Sequence, residues 1–270
     1  MKTATFRGVL VSALLAVPAL ADTARIDQYK AELRGVRPPE LPRETARLIS
    51  SANADAADAV TAALSLSGAS PQLVVGSVAK ASPKSAAPAA AAAIGAQSTR
   101  SSDAAMQPRL TLAIVKAAVL AAPEEISSIV AESCKVRPAS FYTIGVSAAE
   151  AAPRSTDKVI PAIISGAPVL KPVIERAQKD FKGANRSASL ALILKHAENI
   201  LAAVSREQNL SPEALLAKET EITISAKVAT LAAGPSPFQG PPFVSGGTPS
   251  EVPLNLTTNL APTNRVYSLP

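Results

Sequence analysis

The sequence predicts an all-α protein in which short helices stack into an α-solenoid-like array, followed by a disordered Pro/Gly-rich C-terminal tail. A proline recurs every 15 residues in the middle of the chain, at Pro108, Pro123, Pro138, Pro153 and Pro168. Six residues after each of these stands a β-branched aliphatic residue: Ile114, Ile129, Ile144, Val159 and Ile174. Only 3% of the 270 residues are aromatic and Trp is absent, which disfavours a single deep globular core.

Each unit has the spacing of one helical face. With the proline as position 1, small or apolar residues fall at positions 4, 7, 8, 11 and 12. In the first four units these are Thr111, Ile114, Val115, Ala118, Val119; Ile126, Ile129, Val130, Ser133, Cys134; Phe141, Ile144, Gly145, Ala148, Ala149; and Thr156, Val159, Ile160, Ile163, Ile164. Because proline suits the first helical turn, each unit is predicted to be a helix of about ten residues and a short turn. Helices that short need neighbours to be stable, and two antiparallel units would form one hairpin.

The chain divides into a signal peptide at 1–21, a charged N-terminal arm at 22–42, a helical repeat array at 43–233 and a disordered tail at 234–270. The signal peptide is predicted from basic Lys2 and Arg7, an apolar run and a small-residue ending, with cleavage between Ala21 and Asp22. The alternatives are a buried helix or a membrane anchor, but an apolar run of about ten residues is too short to span a bilayer. The predicted protein is therefore exported, to the periplasm or the extracellular space.

Before the regular units, the array is predicted from weaker patterns. The charged arm is expected to be solvated or to cap the array, and residues 43–66 are expected to form one helix that Ser67 and Gly68 end. Residues 71–97 are interpreted as degenerate repeats in which Pro88 opens a unit, because Ile94 follows it by six residues. Residues 98–107 are predicted to be a loop.

After the regular units, the pattern changes. Pro161 should kink its helix or delay the start of that helix. In the fifth unit Glu175, Gln178 and Lys179 replace the apolar residues, so Pro172 is expected to begin a helix of different register. An amphipathic helix is predicted at 187–206, and another is predicted to begin at Ser211 as its cap, with its end left open within 220–233.

No catalytic, cofactor-binding or metal-binding residue is predicted. The single Cys134 lies on an apolar face and is expected to be buried and inert. The single His196 is expected to be exposed, off the apolar stripe of its helix. One Cys and one His do not make a zinc site, and no phosphate-binding glycine motif occurs. The acidic pairs Asp55/Asp58 and Glu124/Glu125 are not expected to act as acid–base catalysts, and Glu124/Glu125 is interpreted as negative charge in a first helical turn, where it complements the helix dipole.

The formal charge of +6 suggests an anionic partner, but basic residues alternate with acidic ones along the chain. The few aromatic residues are not interleaved with the basic ones, so no specific nucleic-acid binding is predicted. Proline interrupts the longest uncharged stretches after the signal peptide, so no transmembrane segment is predicted in the processed chain.

Units such as 122–131, with sequence APEEISSIVA, resemble the 15-residue Ala-Pro and Ile-Val helical repeats of alanine-rich exported bacterial proteins. The tail, which ends in RVYSLP, is similar to the tails of such proteins. The resemblance covers 108–168 and extends in degenerate form over 71–107. It implies an exported protein of the cell envelope and carries no catalytic residues.

The sequence thus favours a non-enzymatic structural or protein-binding scaffold of the bacterial cell envelope. Its expected partner is another envelope protein or polymer, or a second copy of the chain, with no cofactor. Two alternatives stay open at this point: an enzyme whose site is assembled from scattered carboxylates, and a protein that binds polyanions weakly.

Overall fold

The computed structural model describes residues 17–52, 54–100, 106–183, 189–219 and 221–231. Within these ranges the chain is almost entirely helical and has no β-strand, which confirms the predicted all-α class. All of these residues belong to one unit, which ends at Leu231. The predicted tail at 234–270 and residues 1–16 of the predicted signal peptide lie outside the described residues.

The helices are short and follow one another closely. The first seven are α1 (Val17–Leu33), α2 (Leu41–Ala52), α3 (Ala56–Ser65), α4 (Pro71–Ala81), α5 (Ala86–Arg100), α6 (Met106–Ala121) and α7 (Ile126–Val136). They are followed by α8 (Phe141–Ala151), α9 (Val159–Gly166), α10 (Lys171–Gly183), α11 (Leu190–Glu207), α12 (Pro212–Lys218) and α13 (Glu221–Leu231). Five 3-10 turns begin at a proline and lead into the next helix: Pro83–Ser85, Pro123–Glu125, Pro138–Ser140, Pro153–Lys158 and Pro168–Leu170.

The helices stack in two rows. From α1 to α9, each helix packs most extensively against the second helix along the chain, so odd-numbered helices form one row and even-numbered helices the other. Arg137, between α7 and α8, bonds through its side chain to Gln107 at the start of α6. Gly68, before α4, lies against Pro38, before α2. Helices of one row therefore begin at the same edge, and consecutive helices run antiparallel, as in an α-solenoid.

The junctions before Pro123, Pro138, Pro153 and Pro168 are each one residue long. Ala122, for example, has φ −139° and ψ 71°, and its N–H donates to the carbonyl of Ala118 at 2.9 Å. Its own carbonyl accepts the N–H of Glu125 at 3.1 Å, which closes the 3-10 turn of the next unit. Because a residue before proline is disfavoured in the α region, the proline itself forces the chain to leave the helix there.

The 15-residue register reaches further toward the N-terminus than the prolines indicate. Units that start at residues 53 and 83 bury the same positions as the units at Pro108 and Pro123: Ala56, Ala59, Val60, Ala63, Leu64 and Ala86, Ala89, Ala90, Ala93, Ile94. A unit that starts at residue 68 buries Val74, Val75, Val78 and Ala79. The prediction that Pro88 opens a unit was therefore wrong, because Pro88 lies within the first turn of α5 and Pro83 opens that unit. The prediction of a loop at 98–107 was wrong at both ends, since α5 extends to Arg100 and α6 begins at Met106, while residues 101–105 lie outside the described residues.

The prediction of one helix over residues 43–66 was also wrong. The chain forms α2 and α3 there, with a break before Asp55. The Asp55 side chain accepts hydrogen bonds from the N–H groups of Ala57 at 2.9 Å and Asp58 at 3.1 Å. This cap begins a new helix although no proline marks the junction. Gly68, with φ +81°, lies in the turn after α3, where a left-handed conformation favours glycine.

Pro161 delays its helix, as predicted. The preceding 3-10 segment extends over Pro153–Lys158, and α9 then has only eight residues, with Pro161 in its first turn. The last residue of α9, Gly166, lies directly against the backbone of Ala131 in α7. A side chain on Gly166 would hold these two helices apart.

The last helices close the array. In α10, Val173 and Ala177 are buried while Glu175 and Lys179 are exposed, which confirms a different register. The predicted start at Pro172 was wrong, because the 3-10 turn that Pro168 opens leads into α10 at Lys171. Helix α11 packs against α8 and α10, and Gly145 of α8 leaves room for Leu194 of α11. The Ser211 hydroxyl accepts the N–H of Ala214 at 3.1 Å, which confirms the predicted cap of α12.

Gly166→Ala should lower the free energy of unfolding by about 1–3 kcal/mol, because a methyl group there would collide with the backbone of Ala131. Gly95→Ala in α5 is the matched control, since its methyl group would only touch Val136 at an ordinary distance of 3.7 Å. The control should be stabilising by about 0.5–1 kcal/mol, because Ala has the higher helix propensity. Urea unfolding measures both, and equal effects would contradict the proposed close contact.

Asp55→Ala should lower the free energy of unfolding by about 1 kcal/mol, because the first N–H groups of α3 lose their side-chain acceptor. Asp55→Asn keeps an acceptor oxygen and should cost clearly less. Thermal unfolding followed by circular dichroism compares the two, and a larger loss for Asn than for Ala would refute the capping role.

Candidate functional site

A recess on the surface of the array lies beside α9. It is a groove of about 630 Å³ between α7 and the segment that leads into α9. The residues that line it, which we call the α9 groove, are Ser127, Ser128, Ala131, Glu132, Asp157, Lys158, Pro161, Ala162 and Ser165. A second recess of about 630 Å³ lies on the other side of α9 and shares Asp157, Pro161 and Ser165 with the first.

The groove exists because α9 is shorter than its neighbours. Six residues of this unit form a 3-10 segment before α9 begins. Helix α9 therefore has eight residues, about one turn fewer than the 11 residues of α7, and it leaves part of α7 uncovered. Gly166 and Ala131 bring the two helices together at the end of α9. The residues that indicate the groove in the sequence are Pro161 and Gly166. The sequence alone does not predict a recess from them, because their effect depends on how α9 packs against α7.

The rim of the α9 groove is polar and its floor is small and apolar. Glu132 is paired with Lys135 at 2.9 Å, and the Ser128 hydroxyl donates to Glu125 at 3.2 Å. Asp157 and Lys158 are exposed on the opposite wall. The groove therefore offers hydroxyl and charged groups of both signs, together with the methyl groups of its alanines.

Cys134 is fully buried on the inner face of α7, as predicted. Burial raises the pKa of its thiol far above the ordinary value, because the thiolate cannot be solvated there. A thiol held protonated and out of reach is neither a nucleophile nor a metal ligand.

His196 is not exposed, which contradicts the expectation from its position off the apolar stripe. Its side chain is only 13% exposed, and its Nε2 lies 3.0 Å from Oδ2 of Asp180. Phe181 packs edge-on against the imidazole, with ring centroids 5.5 Å apart. Arg176 binds the other oxygen of Asp180 at 2.9 Å. The sequence could not show this cluster, because α10 and α11 meet only in the folded protein.

The cluster around His196 joins helices. Asp180 bridges Arg176 on its own helix to His196 on α11, which fastens α10 to α11. Nearby, the Lys195 ammonium lies 5.1 Å from the centre of the Tyr142 ring of α8. The hydrogen bond from Lys195 to Glu198 at 2.6 Å raises the pKa of this lysine. These contacts hold α8, α10 and α11 together.

The two acidic pairs serve helix termini. Asp55 caps α3, and Asp58 lies 3.3 Å from Arg25 of α1. Glu124 and Glu125 lie in the first turn of their unit, where negative charge complements the helix dipole. Among the described residues, no group of three or more His, Cys, Asp or Glu side chains is placed to hold a metal ion. No helix in the same part of the chain has the length and hydropathy needed to cross a bilayer.

The stability of the wild-type protein should fall as the pH rises above about 8.5, by up to about 1.4 kcal/mol per pH unit from Cys134 alone. The unfolded thiol loses its proton there while the buried thiol keeps it, so the stability that is present below the unfolded pKa is lost above it. Urea unfolding from pH 7 to 10 tests this, with Cys134→Ala as the control that lacks this slope. A profile of Cys134→Ala parallel to that of the wild type would contradict the assignment.

Comparison of the chain with protein-family models, with curated proteins and with solved structures finds no match.

Proposed function

We propose that this protein is a non-enzymatic, exported scaffold of a bacterial cell envelope, and that its α9 groove binds a segment of another envelope protein. The observation that carries the proposal is the groove itself, a polar-rimmed recess between α7 and α9 of the helical array. A stack of antiparallel helices holds such a surface rigidly, so a partner segment can bind without a large ordering cost in the scaffold.

Export is supported by the N-terminal pattern of basic residues, an apolar run and a small-residue ending. It is also supported by the resemblance of the repeats to alanine-rich exported proteins. A scaffold role is supported by the structural contacts that several titratable side chains make. Asp55 caps a helix, Glu132 pairs with Lys135, and His196 joins α11 to α10.

The shape of the groove favours an extended segment of a protein over a small molecule. The recess lies open along α9 and is continued by the second recess beyond Pro161. Small molecules are usually held in concave pockets that enclose most of their surface. An extended chain could instead lie along the row of serine hydroxyls, Ser127, Ser128 and Ser165, and bond to them through its backbone.

A photo-crosslinking residue placed at Ser128 or Ser165 in the exported protein should capture one discrete envelope protein. The same residue at Ala191, an exposed position of α11, should not capture it. Capture should be lost when Ser165→Trp fills the groove, and retained in the control Ala191→Trp. Capture that is equal at all three positions would refute binding through the groove.

Fractionation of the cells and N-terminal sequencing of the exported protein test the other half of the proposal. We expect the chain in the envelope fraction to begin at Asp22. Retention of residues 1–21 in a cytoplasmic protein would refute export. Saturable turnover of an envelope polymer that a point substitution abolishes would refute the non-enzymatic role.

A further inference from the structure

Charged residues that alternate in sign along the sequence are separated in space by the fold. Consecutive helices from α1 to α10 run antiparallel, so every second junction lies on the same edge of the array. The bond between Arg137 and Gln107 and the contact of Gly68 with Pro38 place the junctions α1/α2, α3/α4, α5/α6 and α7/α8 on one edge. The start of α3 lies on the opposite edge, where Asp58 pairs with Arg25 from the middle of α1.

One edge is net basic. Among residues whose side chains the structure describes, its junctions and the helix ends beside them carry seven basic and three acidic side chains, which we call the basic edge: Glu32, Arg34, Arg37, Glu40, Arg43, Glu44, Arg109, Lys135, Arg137 and Lys171. The junctions of the opposite edge carry four basic and six acidic side chains: Asp55, Asp58, Lys80, Lys84, Glu124, Glu125, Glu150, Arg154, Asp157 and Lys158. Helix α12, which packs beside the Pro138–Ser140 turn, adds one charge of each sign, Glu213 and Lys218.

Four arginines of the basic edge are accessible. Arg34, Arg37, Arg43 and Arg109 are all exposed. Lys135 forms an ion pair with Glu132 at 2.9 Å. Arg137 donates a hydrogen bond to the neutral side chain of Gln107. The positive potential of the edge therefore comes mainly from arginines, whose planar guanidinium groups bind the oxygens of phosphate in a bidentate way.

We propose that the basic edge binds a flexible, linear anionic polymer that carries phosphate or similar oxyanion groups, and this proposal does not depend on the α9 groove. The edge is a narrow strip of five junctions, and its basic residues lie at four of them, with none at α3/α4. With about 8–10 Å between packed helices, the strip is about 30–40 Å long. A flexible chain can follow such a strip and contact its arginines in succession.

Specific recognition of nucleic acid is less well supported, because stacking of bases needs exposed aromatic rings. Phe141, which follows the Pro138–Ser140 turn, is fully buried. The proposed interaction is therefore ionic, and its strength should depend on salt concentration and on polymer length.

The test uses the full chain and long-chain inorganic polyphosphate, a linear polymer without apolar or aromatic groups. The edge variant is Arg37→Gln, Arg43→Gln, Arg109→Gln, and the control variant is Lys80→Gln, Lys84→Gln, Arg154→Gln on the opposite edge. Both lose three positive charges, so a difference between them reports where the charge lies and not how much there is. Circular dichroism and thermal unfolding should show that both remain folded, because all six side chains are exposed.

We expect the affinity of the edge variant for polyphosphate to be at least about tenfold weaker than that of the wild type, and the control variant to lose less than about threefold. The slope of log affinity against log salt should become shallower by about 2–3 in the edge variant only, since each lost phosphate contact removes about one. Tripolyphosphate, which is too short to span the strip, should bind far more weakly than the long chain.

Three results would overturn the proposal. The first is an equal loss of affinity in both variants, and the second is equal binding of tripolyphosphate and the long chain. The third is edge-dependent binding to anionic phospholipid vesicles without binding to polyphosphate, because this would identify a membrane surface as the partner. None of these results would affect capture of a protein at Ser128 or Ser165 in the groove.

Discussion

The structure depends on the steric conflict between a proline ring and the residue before it. Ala122, Arg137, Ala152 and Ala167 all precede a proline and share nearly the same extended backbone, with φ between −139° and −133° and ψ between 71° and 78°. The N–H of each residue donates to a carbonyl in the last turn of the preceding helix. The carbonyl of each residue accepts the N–H that closes the following 3-10 turn. A single residue therefore ends one helix and starts the next without leaving buried backbone groups unpaired.

Small residues turn these short helices into a stack. The contact between Gly166 and Ala131, and the space that Gly145 leaves for Leu194, bring neighbouring helices closer than larger side chains would allow. Helices of eight to sixteen residues gain little stability alone, so this packing supplies what local propensity cannot. The shortening of α9 by its long 3-10 segment is the main departure from the repeat, and it is where the array opens into a groove.

The sequence predicted structure well where it depends on the spacing of residues within one helix. It predicted less where structure depends on which helices pack against each other. The buried faces of the units at Pro108 and Pro123 match the predicted positions residue by residue, because helical periodicity is a local property. The units at residues 53 and 68 were missed because Asn53 and Gly68 stand where proline is expected, although the buried spacing continues through them. His196 was assigned to the surface, since its partner Asp180 comes from a helix whose orientation the sequence does not specify.

By itself, the sequence determined the helical class, the length of the repeating unit and the burial of Cys134, because each follows from the spacing of residues along one helix. Tertiary structure alone decided which residues from different units are neighbours. The α9 groove, the bond between His196 and Asp180, and the separation of charge between the two edges all arise from this packing. The physical reason is the alternation of helix direction: residues one unit apart lie at opposite edges, and residues two units apart lie side by side.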